Sequence, residues 1–388
     1  MTPPPPTQPE EKVNEVGRGL SRFCEWVFAY QASRQDFLDQ IFEIVSSLVQ
    51  KHLSRDTRLN WSGSHAVGLH LPWSDLNFEI KQQKRFDPEQ VEEFQTKCLA
   101  MSRFFSASSL EKKEFIFILK LRMTSEFRDQ VVEIIFKQQK LKDELVKEQV
   151  ISTYLRQLPL SKPLYLVLRS LLHRHKLDDP SSGGMVSLAF FLMIVGFIQY
   201  FEQVRNPPVP AQPRTSLDPK ASQFHPDETE PAKSDCLSDS KALGEAFICF
   251  LQVFGFSFDY LLTLILPLGP SQTVGSPFQL KSESTKYMHS LTILHPYSKD
   301  IIITKNFKRT QELRGLFQSC YVQMFANCCC SSDKLRLTTP SEKPGRICLS
   351  YREKLPARPP QLETPTHRPP KFSMCHLLNL NLRPSSLN

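Results

Sequence analysis

The apolar residues of this 388-residue chain change their spacing twice, and that change constrains the fold more than any other feature. From Arg18 they recur every three or four positions, at Leu20, Phe23, Trp26, Val27 and Tyr30. After the polar break Gln31–Arg34 the same period returns at Phe37, Ile41, Ile44, Val45 and Leu48. This spacing predicts two amphipathic helices, the second ending at Leu53. Asp75-Leu76-Asn77-Phe78-Glu79-Ile80 then alternates polar and apolar at period two, as a half-buried strand does. Residues 115–119 and 131–136 predict two more strands, and residues 88–104 a helix. From Gln138 the period is helical again. It runs through Leu164–His175, the apolar run from Gly183-Gly184 to Phe201, Leu243–Leu268 and Thr310–Phe325. Strands enclosed by helices on both sides predict an α+β fold, a small mixed sheet beside a mostly helical unit.

Composition sets the boundaries. The 30 prolines crowd residues 3–9, 207–231 and 340–384. Residues 1–16 therefore read as a disordered Pro-rich N-terminus, 205–240 as a flexible insert and 326–388 as a disordered basic, Pro-rich tail. Between them lie N-terminal helices over 17–56, expected to pack on the helical unit, the sheet unit over 57–137 and the helical unit over 138–325. The charge of +8, from 48 Lys+Arg against 40 Asp+Glu, permits nucleic-acid binding without demanding it. Ten cysteines form no CxxC pair and no zinc-finger spacing, which favours a reducing compartment, nucleus or cytoplasm. Met185–Phe201 is interrupted by Gly196 and Gln199 and falls short of the ~20 residues of a membrane span. It reads as a buried core helix, with no membrane among the partners. His65, His70, His175 and His295 show no ligand spacing and read as incidental.

The chemistry-bearing stretch is Gly63-Ser64, ten intervening residues, then Asp75-x-Asn77. A Gly-Ser turn at a helix start can offer a backbone N–H and a hydroxyl to phosphate. Acidic groups at i and i+2 on a strand share one face, and a third from a neighbouring strand completes an oxygen nest for two Mg²⁺ ions. Such ions clamp the attacking and leaving oxygens of a nucleotidyl transfer.

The segment SGSHAVGLHLPWSDLNFEI resembles the Gly-Ser…Asp-x-Asp signature of the DNA polymerase β-like nucleotidyltransferases. Its GLHLPWSDL interval is most similar to the terminal nucleotidyltransferases that add A or U tails to RNA. PLYLVLRSLL, GGMVSLAFFLMIVGFIQYF and LGEAFICFLQVFGFSFDY resemble, in order, three segments of that family's helical central domain. LTILHPYSKD and GLFQSCYVQM resemble its poly(A)-polymerase-associated segment, and the likeness runs over about residues 18–325.

The resemblance implies a nucleotidyltransferase catalytic domain and a poly(A)-polymerase-associated helical domain. It implies template-independent addition of AMP or UMP, from ATP or UTP, to an RNA 3′ end, with Mg²⁺ or Mn²⁺ weakly held. Asp75, Asn77 and Glu133 fall on the catalytic triad, which the family fills with three Asp, so Asp75 and Glu133 remain as metal ligands. Gly63, Ser64, Arg169, His173 and Ser187 fall on nucleotide-binding positions; Arg169 and His173 stand where the family has Lys. Leu188 replaces a base-stacking Tyr, the sugar-contacting Asn falls near Glu144 without a match, and a family loop is reduced to Lys299–Ile302. Two outcomes stay open. One is a transferase of weak activity. The alternative is a catalytically inactive member that binds RNA, nucleotide or protein, with a protein partner supplying the RNA targeting.

Overall fold

The computed structural model describes residues 8–53, 57–82, 86–113, 116–127, 130–138, 147–205, 239–269, 275–282 and 290–329. Glu144, nearly all of the expected insert and the expected tail from 330 lie outside these residues, while 326–329, expected in the disordered tail, are helical. Helix α1 (Gln8–Ser33) starts well before Arg18, so residues 8–16, expected to be disordered, are helical. Its first turn carries Glu10 and Glu11, where negative charge suits the N-terminal end of the helix dipole. Helix α2 (Gln35–His52) leads to β1 (Arg58–Ser62), the short α3 (Gly63–Ala66) and β2 (Leu76–Gln82). Then come α4 (Pro88–Ala100), β3 (Phe105–Lys113), β4 (Ile116–Met123) and β5 (Val131–Gln138).

These strands form one sheet in the order β1-β2-β5-β4-β3, with only the central β2–β5 pair parallel. Strands β1 and β3 are not evident from the sequence, because β3 (FSASSLEKK) has little apolar alternation and lies at the sheet edge. The alternation in β2 is realised in full. Leu76, Phe78 and Ile80 are buried on one face, while Asn77, Glu79 and Lys81 line the other. The buried face packs against Leu38, Ile41 and Val45 of α2 and Val91 and Phe94 of α4. Helix α2 therefore belongs to the sheet unit, correcting the expectation that both N-terminal helices pack on the helical unit. The break at Arg34 frees α2 to turn its apolar stripe toward the sheet.

The remainder is built on a second core. Helices α5 (Lys147–Gln157), α6 (Ser161–Arg174), α7 (Ser187–Arg205) and α8 (Ser240–Gln252) pack with α1. In α7 every residue from Ala189 to Ile198 is buried, so a helix long and apolar enough to cross a membrane serves here as a core helix. The helix expected over 243–268 is shorter. It ends in a π-helical turn at Val253–Ser257, and β6 (Thr263–Ile265) follows. Tyr260, whose hydroxyl donates to the Phe254 carbonyl, turns the chain out of the helix. Strands β7 (Phe278–Leu280), β8 (Thr292–His295) and β9 (Ser298–Ile302) complete a small sheet ordered β7-β6-β8-β9, before α9 (Thr310–Cys329). Lys299–Ile302, expected as a loop, lies in β9, where Ile302 pairs with Leu294.

The crossing of α1 and α8 depends on two glycines. A Cβ on Gly17 would lie 1.9 Å from the Ser240 carbonyl oxygen, and one on Gly244 would lie 2.4 Å from the Val13 carbonyl oxygen. Both obstacles are backbone and cannot rotate away. Gly17→Ala or Gly244→Ala should therefore destabilise the fold by about 3 kcal/mol in urea unfolding, despite Ala's better helix propensity. A loss below about 1 kcal/mol would show that the two helices separate without cost.

Candidate functional site

The end of β1 and the start of α3 touch α5 through Glu148, and Trp73 in the loop before β2 touches α6 at His173. Gly63 begins α3 with φ +66°, in the left-handed region that favours glycine, and a Cβ there would stand 3.3 Å from Asn77 Nδ2. The turn thus calls for Gly63 by its conformation, and a Cβ would also press on the Asn77 amide. Ser64 follows in α3, and its carbonyl accepts the Leu69 N–H at 2.9 Å.

Sheet register brings the expected triad positions together. Ser62, Asn77, Glu133 and Lys120 are successive in-register neighbours across β1, β2, β5 and β4. Asp75 stands two residues before Asn77. Its carboxyl is held above the ordinary value, first by burial and then by the Glu133 carboxylate, while Lys120 and His173 pull it back. Asp75 and Glu133 are therefore close enough for their charges to interact. Asn77 Oδ1 is buried and has no hydrogen-bond partner. Lys120 was not singled out from the sequence, yet its ammonium lies 3.2 Å from Glu133 and 3.0 Å from Glu111. Glu79, on the same face, is tied to Lys81 at 2.8 Å and adds no carboxylate to the group.

Across the cleft, Arg169 and His173 both engage Asp178, which sequence reasoning missed. Arg169 Nη2 lies 3.3 Å from Asp178 Oδ2, and His173 Nδ1 lies 3.0 Å from the same oxygen. Burial pushes the Asp178 carboxyl up, but the His173 hydrogen bond and the Arg169 charge outweigh it and hold the group below the carboxylate range. The exposed Trp73, from the loop before Asp75, stacks on His173 with ring centroids 4.8 Å apart. Ser187 opens α7 and hydrogen-bonds the buried Tyr165 hydroxyl. Glu148, near the start of α5, accepts from the Gly63 N–H at 3.0 Å and the Ser62 hydroxyl at 3.1 Å. Leu188 is half-buried against the helical core.

No protein-family profile and no curated protein sequence matches the chain. Solved structures do. The polymerase core of TRAMP, an RNA surveillance complex, is similar at 16% identity, over 76% of this chain and 81% of that chain, with a TM-score of 0.57. A cytoplasmic RNA terminal U-transferase is similar at 18% identity, over 79% of this chain and 94% of that chain, also at 0.57. The fold is that of the RNA terminal nucleotidyltransferases. The Cid1 poly(U) polymerase in its Mg- and 3′-dATP-bound form is similar at 18% identity, over 78% of this chain and 93% of that chain, at 0.55.

On this fold the cleft residues do not fit a two-metal centre. Asp75 and Glu133 supply two carboxylates, and no group of three or more His, Cys, Asp or Glu able to hold a metal occurs among the described residues. Asn77 contributes a neutral oxygen, and Glu133 already neutralises a Lys120 cation. Hard divalent ions need several anionic oxygens, and an adjacent ammonium repels them.

Proposed function

We propose that the chain is a terminal nucleotidyltransferase-fold protein that holds an RNA 3′ end in its cleft and adds nucleotides slowly or not at all. The observation that carries this reading is the in-register row Asn77–Glu133–Lys120, where a neutral amide and an ammonium flank the row's carboxylate. RNA as the ligand is supported by a second row on the same open face. Arg58, Lys81 and Lys137 are in-register neighbours on β1, β2 and β5, and Glu79 offsets part of their charge. A row of cations across a sheet face tracks phosphates without reading sequence. The protein works in the nucleus or cytoplasm, and a protein partner supplies its RNA target. A transferase of low activity is the second reading, favoured by Asp75 and Glu133 lying close enough for their charges to interact.

The test is fluorescence anisotropy of a short oligo(A) RNA, with and without Mg²⁺, beside primer extension with each NTP. Binding should be equal in EDTA and Mg²⁺, and should weaken as salt rises. Extension by the wild-type chain at roughly 1 per second or faster, the range of ordinary enzymes, would overturn the non-catalytic reading.

A further inference from the structure

Two sets of donors in the cleft are already taken by carboxylates of the chain itself. Glu148 Oε1 accepts from the Gly63 N–H and the Ser62 hydroxyl, at 3.0 and 3.1 Å, across more than eighty residues of sequence. Asp178 Oδ2 meets Arg169 and His173 at 3.3 and 3.0 Å, and the Arg169 guanidinium also donates to the Met185 and Asp178 carbonyls at 3.5 and 3.4 Å. All four carboxylate contacts are of the kind that phosphate oxygens make, since carboxylate and phosphate recruit the same N–H, O–H and guanidinium donors. Both carboxylates are half-buried, so their charge is felt across the cleft and not screened as on an open surface. Trp73, from the loop before Asp75, stacks on His173.

We propose that Glu148 and Asp178 are the specificity-determining residues of the cleft: they occupy its anion-binding donors and exclude nucleoside triphosphates, leaving the cleft to an RNA end that carries no triphosphate. A triphosphate entering this space must either displace both carboxylates from their donors or sit beside them as a like charge. Both routes cost affinity, whereas an RNA chain laid along the Arg58–Lys81–Lys137 row meets neither carboxylate's donors. The inference rests on the reading of the cleft as an RNA site, and it concerns affinity alone, not turnover.

The experiment is calorimetric titration of the full chain with inorganic tripolyphosphate in EDTA, so that no metal contributes. The wild-type chain should bind it weakly. Glu148→Gln combined with Asp178→Asn keeps side-chain size and removes both charges, and should tighten binding about ten- to a hundredfold, the weight of one to two charge-assisted contacts. Equal affinity of the wild type and the folded double variant would overturn the proposal. If the double variant fails to fold, Glu148→Gln alone is read the same way, since Glu148 is only half-buried in the first turn of α5 and the substitution keeps its size. Oligo(A) binding is measured in parallel. If wild-type protein does not bind RNA, the RNA reading fails, while the tripolyphosphate comparison still decides whether the carboxylates exclude phosphate.

Discussion

Asn77→Asp combined with Glu133→Asp should raise Mn²⁺ affinity at least about tenfold and RNA extension about 100-fold, the scale on which small displacements of a reacting site act. The register makes this pair the one to change. Residue 77 faces residue 133 directly, and Asn77 Oδ1 is buried without a partner, so the position is shaped for an acceptor but lacks charge. The shorter Asp at position 133 draws the carboxylate back from Lys120. Without metal the variant crowds three carboxylates, which raises the Asp75 carboxyl further and lowers stability. Mn²⁺ should then raise its melting temperature, whereas the wild type should melt at the same temperature with or without the ion. Electron paramagnetic resonance of Mn²⁺ reads binding directly, and an unchanged signal in the folded variant would sink the argument. Adding Glu148→Gln should increase extension further by admitting the nucleotide. Leu188→Tyr is a weaker remedy, because Leu188 packs on the helical core and cannot be exchanged without repacking.

The second large effect is on acid stability. His65 and His70 stack with ring centroids 4.2 Å apart and planes 10° from parallel. They border a cavity of about 10 Å³, no larger than one water, together with Tyr30, Arg34 and Ser74. His65 Nδ1 and both ring nitrogens of His70 are buried without hydrogen-bond partners. Burial, then the neighbouring His70 and Arg34 charges, pushes His65 down to about 3; burial, then Lys162 and Arg34, pushes His70 down to about 4. Both rings are thus neutral in the fold, while in the unfolded chain they gain protons below about 6.5. The unfolded state binds more protons throughout that window, so stability should fall from pH 6.5 toward pH 4 and level off below the folded values.

Each ring contributes ~1.4 kcal/mol per pH unit at most, and the pair about 3–6 kcal/mol in all after relaxation. His175 and His295 are lowered by burial and add to the slope, whereas Asp75, raised, acts against it. His70→Phe keeps a ring in the stack and removes two unpaired nitrogens. It should leave urea stability at pH 7 unchanged or higher, and raise it by about 2 kcal/mol at pH 4.5. A wild-type stability that stays flat between pH 7 and pH 4.5 would show that these rings titrate normally. Reading them as incidental was a matter of spacing alone; their stacking depends on the turn Gly68–Leu69 folding His70 back onto His65.

The sequence by itself determined the local elements and the motif's place among them. Period-two alternation in β2, the apolar run of β5, the 3–4 period of α1, α2 and α6, and the glycine at position 63 each state a short-range preference that the chain obeys. Because a strand's alternate residues must share a face, the pairing of Asp75 with Asn77 was legible as well. What the sequence left undecided is everything that depends on distant segments meeting. Lys120 neighbours Glu133 only through the β4–β5 register, and Glu148 reaches Gly63 only because α5 docks beside α3. Asp178 lies five residues beyond His173, but its role depends on a loop geometry that no periodicity encodes. The same holds for α2, whose apolar stripe fits either core, and for the helix after Ser240, which gives way to a π-helical turn and a strand where β8 offers backbone partners. Periodicity records which residues leave water, while tertiary packing decides which charges and hydrogen-bond groups they carry together, and in this cleft those groups decide the chemistry.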